Sequence, residues 1–90
     1  MLRITKIEEQ EMPVTLKLEG KVADQWASLL ESECRMALQT TNRLHLDFAA
    51  VSYVDADGVA VVNGLPRQRV EMINVPAFVR ALLQKRGGAS

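Results

Sequence analysis

The chain has 90 residues, 48% hydrophobic and 24% charged, with eleven basic residues set against eleven acidic ones. That length is one domain's worth, burying about 60% of the unfolded chain's surface, and the composition excludes the disordered class, which has fewer aliphatics and a larger net charge. Zero net charge leaves no long-range field to hold a nucleic-acid backbone or an anionic membrane surface, so neither is an expected partner.

Leu2, Ile4 and Ile7 read as an extended segment, and Val14, Leu16 and Leu18 alternate with Thr15, Lys17 and Glu19 across the polar stretch 8–13. Two paired strands are predicted, the second closed by Gly20. Val22, Trp26, Leu29, Leu30, Cys34, Ala37 and Leu38 then recur at helical spacing, with Asp24, Ser28, Glu31 and Arg35 on the opposite face. This predicts an amphipathic helix of about four turns. Asp24 complements its dipole at the start, and Glu31 and Arg35 form an i,i+4 pair in the favourable order.

Thr40-Thr41-Asn42 breaks the pattern, after which Leu44, Leu46 and Phe48 alternate with His45 and Asp47 ahead of the run 49–54. A central strand is expected here. Val59 to Val62 has strand-like composition, but Asp55 followed by small residues and then Gly64-Leu65-Pro66 favours a short capped helix. Val70, Met72 and Ile73 suggest a fourth, short strand. Pro76 opens a last helix with Phe78, Val79, Leu82 and Leu83 inward, Arg80 and Gln84 outward, and Lys85 and Arg86 at its carboxyl end. The domain is expected to span 1–86, with 87–90 a flexible tail.

This order implies an α/β protein: a single small domain with a mixed four- to five-stranded sheet, parallel pairs joined by crossovers, covered by about three helices. Binding sites in such sheets gather beyond the carboxyl ends of the strands. The segment Tyr53 to Gly58 occupies that kind of position.

Other chemistry is sparse. The single Cys34 forms no internal disulfide, Met1 to Lys6 lacks the apolar core of a secretory signal, and the apolar run 48–62 is interrupted by Asp55 and Asp57. A cytoplasmic protein that does not insert in a membrane is the expectation. His45 on a strand and Cys34 on an apolar helix face read as structural, and one His with one Cys is too few for a metal site. No glycine-rich phosphate loop is present, and no cofactor is expected. Asp47, Asp55 and Asp57 lie where ionised carboxylates are favoured, which argues against acid–base catalysis. Trp26, spaced with Val22, Leu29 and Leu30, reads as core.

The stretch Leu46-Asp47-Phe48-Ala49-Ala50-Val51-Ser52-Tyr53-Val54-Asp55-Ala56-Asp57-Gly58-Val59 resembles the STAS (anti-sigma-factor antagonist) family, in which a strand and loop run into an Asp-Ser-Ser-Gly turn that opens a helix. The resemblance extends more loosely to 14–20, and to Ile73-Asn74-Val75-Pro76. Sigma-regulating members bind an anti-sigma factor that is also a kinase, and phosphorylation of the Ser before the Gly releases it. That position is Asp57 here, the family's Asp is matched by Asp55, and Ala56 replaces the first Ser. Pro66 also ends the following helix sooner than is usual in the family.

The resemblance implies a non-enzymatic protein-binding regulatory module that docks its partner through Tyr53, Asp55, Ala56, Asp57 and Gly58. With Asp57 at the phosphosite, regulation by phosphorylation there is not expected. The implied partner is an anti-sigma factor of kinase type. Alternatives are an accessory subunit docking on a transporter's ATPase subunit, as in lipid-transport complexes, and a sensor of a nucleotide or small ligand. Beside these stands a plain reading of the turn: Asp55 and Asp57 are good residues for a helix cap and first turn whatever the function.

Overall fold

The computed structural model describes residues 1–88, with side chains as far as residue 83. The alternation at the start of the chain becomes β1 (Leu2–Ile7) and β2 (Val14–Val22), paired antiparallel with Leu2 opposite Gly20 and Ile7 opposite Thr15. The chain continues through α1 (Gln25–Thr40), β3 (Leu44–Val54), α2 (Ala56–Asn63), β4 (Val70–Ile73) and α3 (Ala77–Gly88). One four-stranded sheet has the order β1-β2-β3-β4, with the last two pairings parallel. The fold class is therefore α/β with a mixed sheet and three helices, at the lower of the two expected strand counts.

Crossovers between parallel strands are almost always right-handed, and two of them stepping the same way along a sheet put both helices on one face. Burial follows that rule. Leu16, Leu18, Val22, Leu44, Leu46, Phe48 and Val70 are buried under the helices, together with Ala27, Leu30, Cys34, Ala37, Val59, Val62 and Val79. On the opposite face Thr15, Lys17, His45 and Asp47 are half-buried and Glu71 is exposed.

Several expectations shift. Gly20 does not close β2, which runs on through its pairing with β3 to Val22; glycine is called for there because a side chain would overlap the Met1 carbonyl oxygen and φ is +107°. Val22 is the last residue of that strand; it packs on the same core as α1 without belonging to it. Leu29 is 40% exposed and Phe78 is 43% exposed, so neither belongs to the buried stripe of its helix. Trp26 is half-buried against the core. Glu31 and Arg35 do pair, at 3.5 Å. The tail expected at 87–90 falls on the end of α3 and beyond it, with residues 89–90 outside the described ones. The side chains of Gln84, Lys85 and Arg86 also lie outside them.

A contact not anticipated ties the lower end of the molecule together. The Arg69 guanidinium donates from Nη2 to the carbonyls of Leu38 (2.7 Å) and Thr41 (3.0 Å), and from Nε to that of Asn42 (3.3 Å). These carbonyls are at and just beyond the carboxyl end of α1, where helix backbone lacks internal donors and the dipole favours a cation.

Candidate functional site

The upper half of β3 does not alternate, and the pairing explains why. Between Lys17 and Glu19 on β2 the partner residue moves from Asp47 to Ala50, and between Gly20 and Lys21 it moves from Val51 to Tyr53. Each shift inserts one extra residue into β3, which is the signature of a β-bulge. Buried positions consequently fall three apart, at Phe48, Val51 and Val54, instead of two. Ala49, Ala50, Ser52 and Tyr53 are turned out to solvent, with Tyr53 50% exposed. The bulges thus carry the core face of β3 up to Val54 while presenting Tyr53 beside the turn that follows.

Asp55 is the N-cap of α2, in extended backbone conformation, and its Oδ1 accepts from the N–H of Gly58 at 2.8 Å. Its Oδ2 accepts from the N–H of Asp24, 31 residues earlier, at 2.9 Å. Its own N–H donates to the Val22 carbonyl at 3.2 Å. One carboxylate thereby joins the β2–α1 junction to the β3–α2 junction. The N–H of Gly58 first, and that of Asp24 second, hold its carboxyl below the ordinary value of 3.8, because both donors favour the ionised form.

Asp24 is the partner that sequence reasoning missed. It was expected to complement the α1 dipole, yet its side chain makes no cap hydrogen bond, and its backbone carries φ +54° and ψ −132°. A non-glycine residue with positive φ is strained. Here that conformation accompanies the N–H bond to Asp55. The only sequence signal was an Asp at a strand–helix junction, which tolerates such backbone better than most residues.

Of the five residues expected at the site, Tyr53, Ala56 and Asp57 are exposed, Asp55 is half-buried and Gly58 is buried. Gly58 sits where α2 meets the ends of the strands: a Cβ there would overlap the Val22 carbonyl oxygen and stand 2.8 Å from Cγ1 of Val54. It is a close-approach position, not a surface one. The outward face of the turn therefore consists of Tyr53, Ala56 and Asp57, flanked by the exposed Ser52, Asp24 and Ala60.

The remaining candidates have structural surroundings. Cys34 is fully buried, and burial first, then Glu33 and Glu31, pushes its thiol up to about 12. His45 faces Glu71 at 3.8 Å across the β3–β4 pair. The Asp47 Oδ1 accepts from the Ala49 N–H at 2.9 Å and from Asn74 Nδ2 at 3.2 Å, bracing the first bulge against the loop after β4. Among the described residues, no three His, Cys, Asp or Glu side chains converge to hold a metal ion, and no helix is long and apolar enough to cross a membrane.

No family model matches the chain, and no curated protein matches it in sequence. Solved structures match it in fold: one is the anti-sigma factor antagonist SpoIIAA in its unphosphorylated form, 17% identical, with a TM-score of 0.69 over 91% of this chain and 82% of that one. The chain has the fold of that protein, the STAS fold. At this identity the likeness speaks for architecture, and the exposed turn speaks for itself.

Proposed function

We propose that the chain is a non-enzymatic regulatory module that docks one protein partner on the outward face of the β3–α2 turn, with Tyr53, Ala56 and Asp57 in contact and Asp55 and Gly58 holding the turn in shape. The observation that carries this reading is the division of labour at the turn. Asp55 is committed through both carboxylate oxygens to backbone donors, whereas Asp57, on the first turn of α2, is exposed and has no partner among the described residues. Pre-formed backbone presenting a half-exposed aromatic ring beside one free charge lowers the ordering cost of docking, and Tyr is among the residues favoured at such anchors.

The fold shared with an anti-sigma factor antagonist supports a partner of the anti-sigma type. In that role Asp57 stands where a phosphorylatable Ser would be, so its charge is fixed and the surface is not switched there. A phosphate would add about −1.5 to −2 charges; Asp57 adds a single charge on a shorter arm.

The test is capture of the partner on immobilised wild-type chain, followed by affinity measurements with Asp57→Ser, Asp57→Arg and Tyr53→Ala. The reading expects Asp57→Arg and Tyr53→Ala to weaken binding by roughly tenfold or more, the range of an interface anchor. Unchanged affinity in all three sinks it. Recovery of a transporter ATPase subunit as the captured partner replaces the anti-sigma assignment while leaving the surface in place.

A further inference from the structure

At the opposite end of the sheet from the Asp55 turn, the amino ends of β3 and β4 frame a cleft of about 120 Å³, whose lining includes Arg43, His45, Arg67, Gln68, Arg69 and Glu71. Three arginines from the α1–β3 and α2–β4 connections meet there in a chain whose net charge is zero. Arg69 makes its hydrogen bonds to carbonyl oxygens, which carry no full negative charge. Among the described residues, neither Arg43 nor Arg67 is in an ion pair. The one acid in the lining, Glu71, faces His45 at 3.8 Å. The backbone N–H groups of Arg67 and Gln68, in the turn before β4, also have no partner among the described residues.

We propose that this cleft binds a phosphomonoester group. Size decides against larger ligands. A cleft of this volume exceeds the ~10–15 Å³ one water needs and falls short of the ~300 Å³ at which pockets begin to enclose drug-sized molecules. It admits one tetrahedral oxyanion and leaves whatever carries it outside. Charge decides the class. A carboxylate is satisfied by a single arginine fork, whereas a phosphomonoester brings about −1.5 to −2 charges and three acceptor oxygens, a demand that several guanidinium groups and free N–H donors meet together. The net neutrality of the chain argues against an extended polyanion, and the cleft is a local site. A soluble phosphomonoester and a lipid headgroup of the same chemistry fit equally, and the experiment separates them.

The probe is inorganic phosphate, then glycerol phosphate, titrated at constant ionic strength into the full chain labelled with ¹⁵N, with sodium chloride as the reference. Saturable amide shifts confined to residues 43–45 and 67–71, and weakened about tenfold or more in Arg43→Ala and Arg67→Ala, are expected, since each removes a charge-assisted contact. Arg80→Ala, on α3 and outside the cleft lining, leaves the shifts as in wild type. Arg43 and Arg67 are exposed, so their variants keep the fold, and an unchanged far-ultraviolet circular dichroism spectrum verifies it. A second arm measures sedimentation with phosphatidylcholine vesicles containing phosphatidic acid. Sedimentation lost in both cleft variants assigns the group to a lipid, and its absence alongside saturable shifts assigns it to a soluble ligand. Non-saturating shifts spread over all surface cations, or shifts equal in wild type and both cleft variants, overturn the proposal.

Discussion

Replacing Gly58 by Ala tests whether the close approach of α2 to the strand ends is what fixes the turn. The added Cβ overlaps the Val22 carbonyl oxygen and sits 2.8 Å from Cγ1 of Val54 and 3.0 Å from Cγ1 of Val22. Ordinary carbon–carbon contact lies at about 3.5–4.0 Å, so α2 must retreat by roughly 1 Å. The Val22 carbonyl has little room to give way, because it accepts the N–H of Asp55 at 3.2 Å. Overpacking costs about 1–3 kcal/mol, and a clash with a backbone oxygen that cannot swing aside falls in the upper part of that range, about 2–3 kcal/mol. Against it stands the helix preference for Ala over Gly, about 0.8–1 kcal/mol. The steric cost wins, for a net loss of about 1–2 kcal/mol, or a fall in Tm of roughly 4–15 °C in a domain of this size. Urea denaturation with an unchanged m-value reads the difference. Ala60→Gly, at an exposed position of the same helix, reports the propensity term alone. A Gly58→Ala protein as stable as wild type, or more so, refutes the packing argument.

Three further outcomes follow from the same structure. The Asp55 carboxyl is held below 3.8 in the folded chain, so its stabilisation is present above that value and lost as pH falls through the folded pKa; urea midpoints of wild type and Asp55→Asn should converge below pH 3.8, and a gap that stays constant contradicts the cap. Arg69→Lys should lose about 1–3 kcal/mol in chemical denaturation, because an ammonium cannot reproduce the fork that reaches the carbonyls of Leu38, Thr41 and Asn42; full retention of stability by Lys contradicts it. Cys34, fully buried with its thiol pushed up to about 12, should resist a thiol reagent at pH 8 in the folded chain and react in urea, whereas rapid native labelling shows that the α1 face opens.

The elements were legible wherever one period held over its full length. The first part of β2, the lower half of β3 and α1 could be read from hydrophobic spacing, and the short α2 from Asp55 before it and Gly64-Leu65-Pro66 after it. Legibility failed where a backbone irregularity reset the phase. The two insertions in β3 change its burial step from two residues to three, and in the run Ala49 to Val54 the small Ala49, Ala50 and Ser52 and the amphipathic Tyr53 give too little contrast to reveal that. Val22 fits the helical spacing of α1 by coincidence, because a strand end and the helix after it pack on one core. At the site, the cap residue and the close-approach glycine were visible as residue types. The bond between Asp55 and the N–H of Asp24, and the capping of α1 by Arg69, join residues about thirty positions apart. Nothing local in the sequence specifies either.

That long-range bond changes how the turn must be tested. In sequence Asp55 and Asp57 look interchangeable, two acids two residues apart at a helix start. In the structure they belong to different layers: Asp55 fastens the junctions at the ends of β2 and β3 to each other, and Asp57 faces outward from the first turn of α2. A variant of Asp55 releases Asp24 from its positive-φ conformation and disturbs Tyr53, Ala56 and Asp57 together, so lost binding there reports the shape of the surface and not a contact. A variant of Asp57 leaves both junctions tied. Partner affinity that falls in Asp57→Arg while the Asp24 amide keeps its wild-type shift and its hydrogen-exchange protection by Asp55 therefore isolates the charge itself. If that amide moves or loses protection as well, the outward carboxylate is part of the fastening, and the separation of the turn into a clamp and a docking face does not hold.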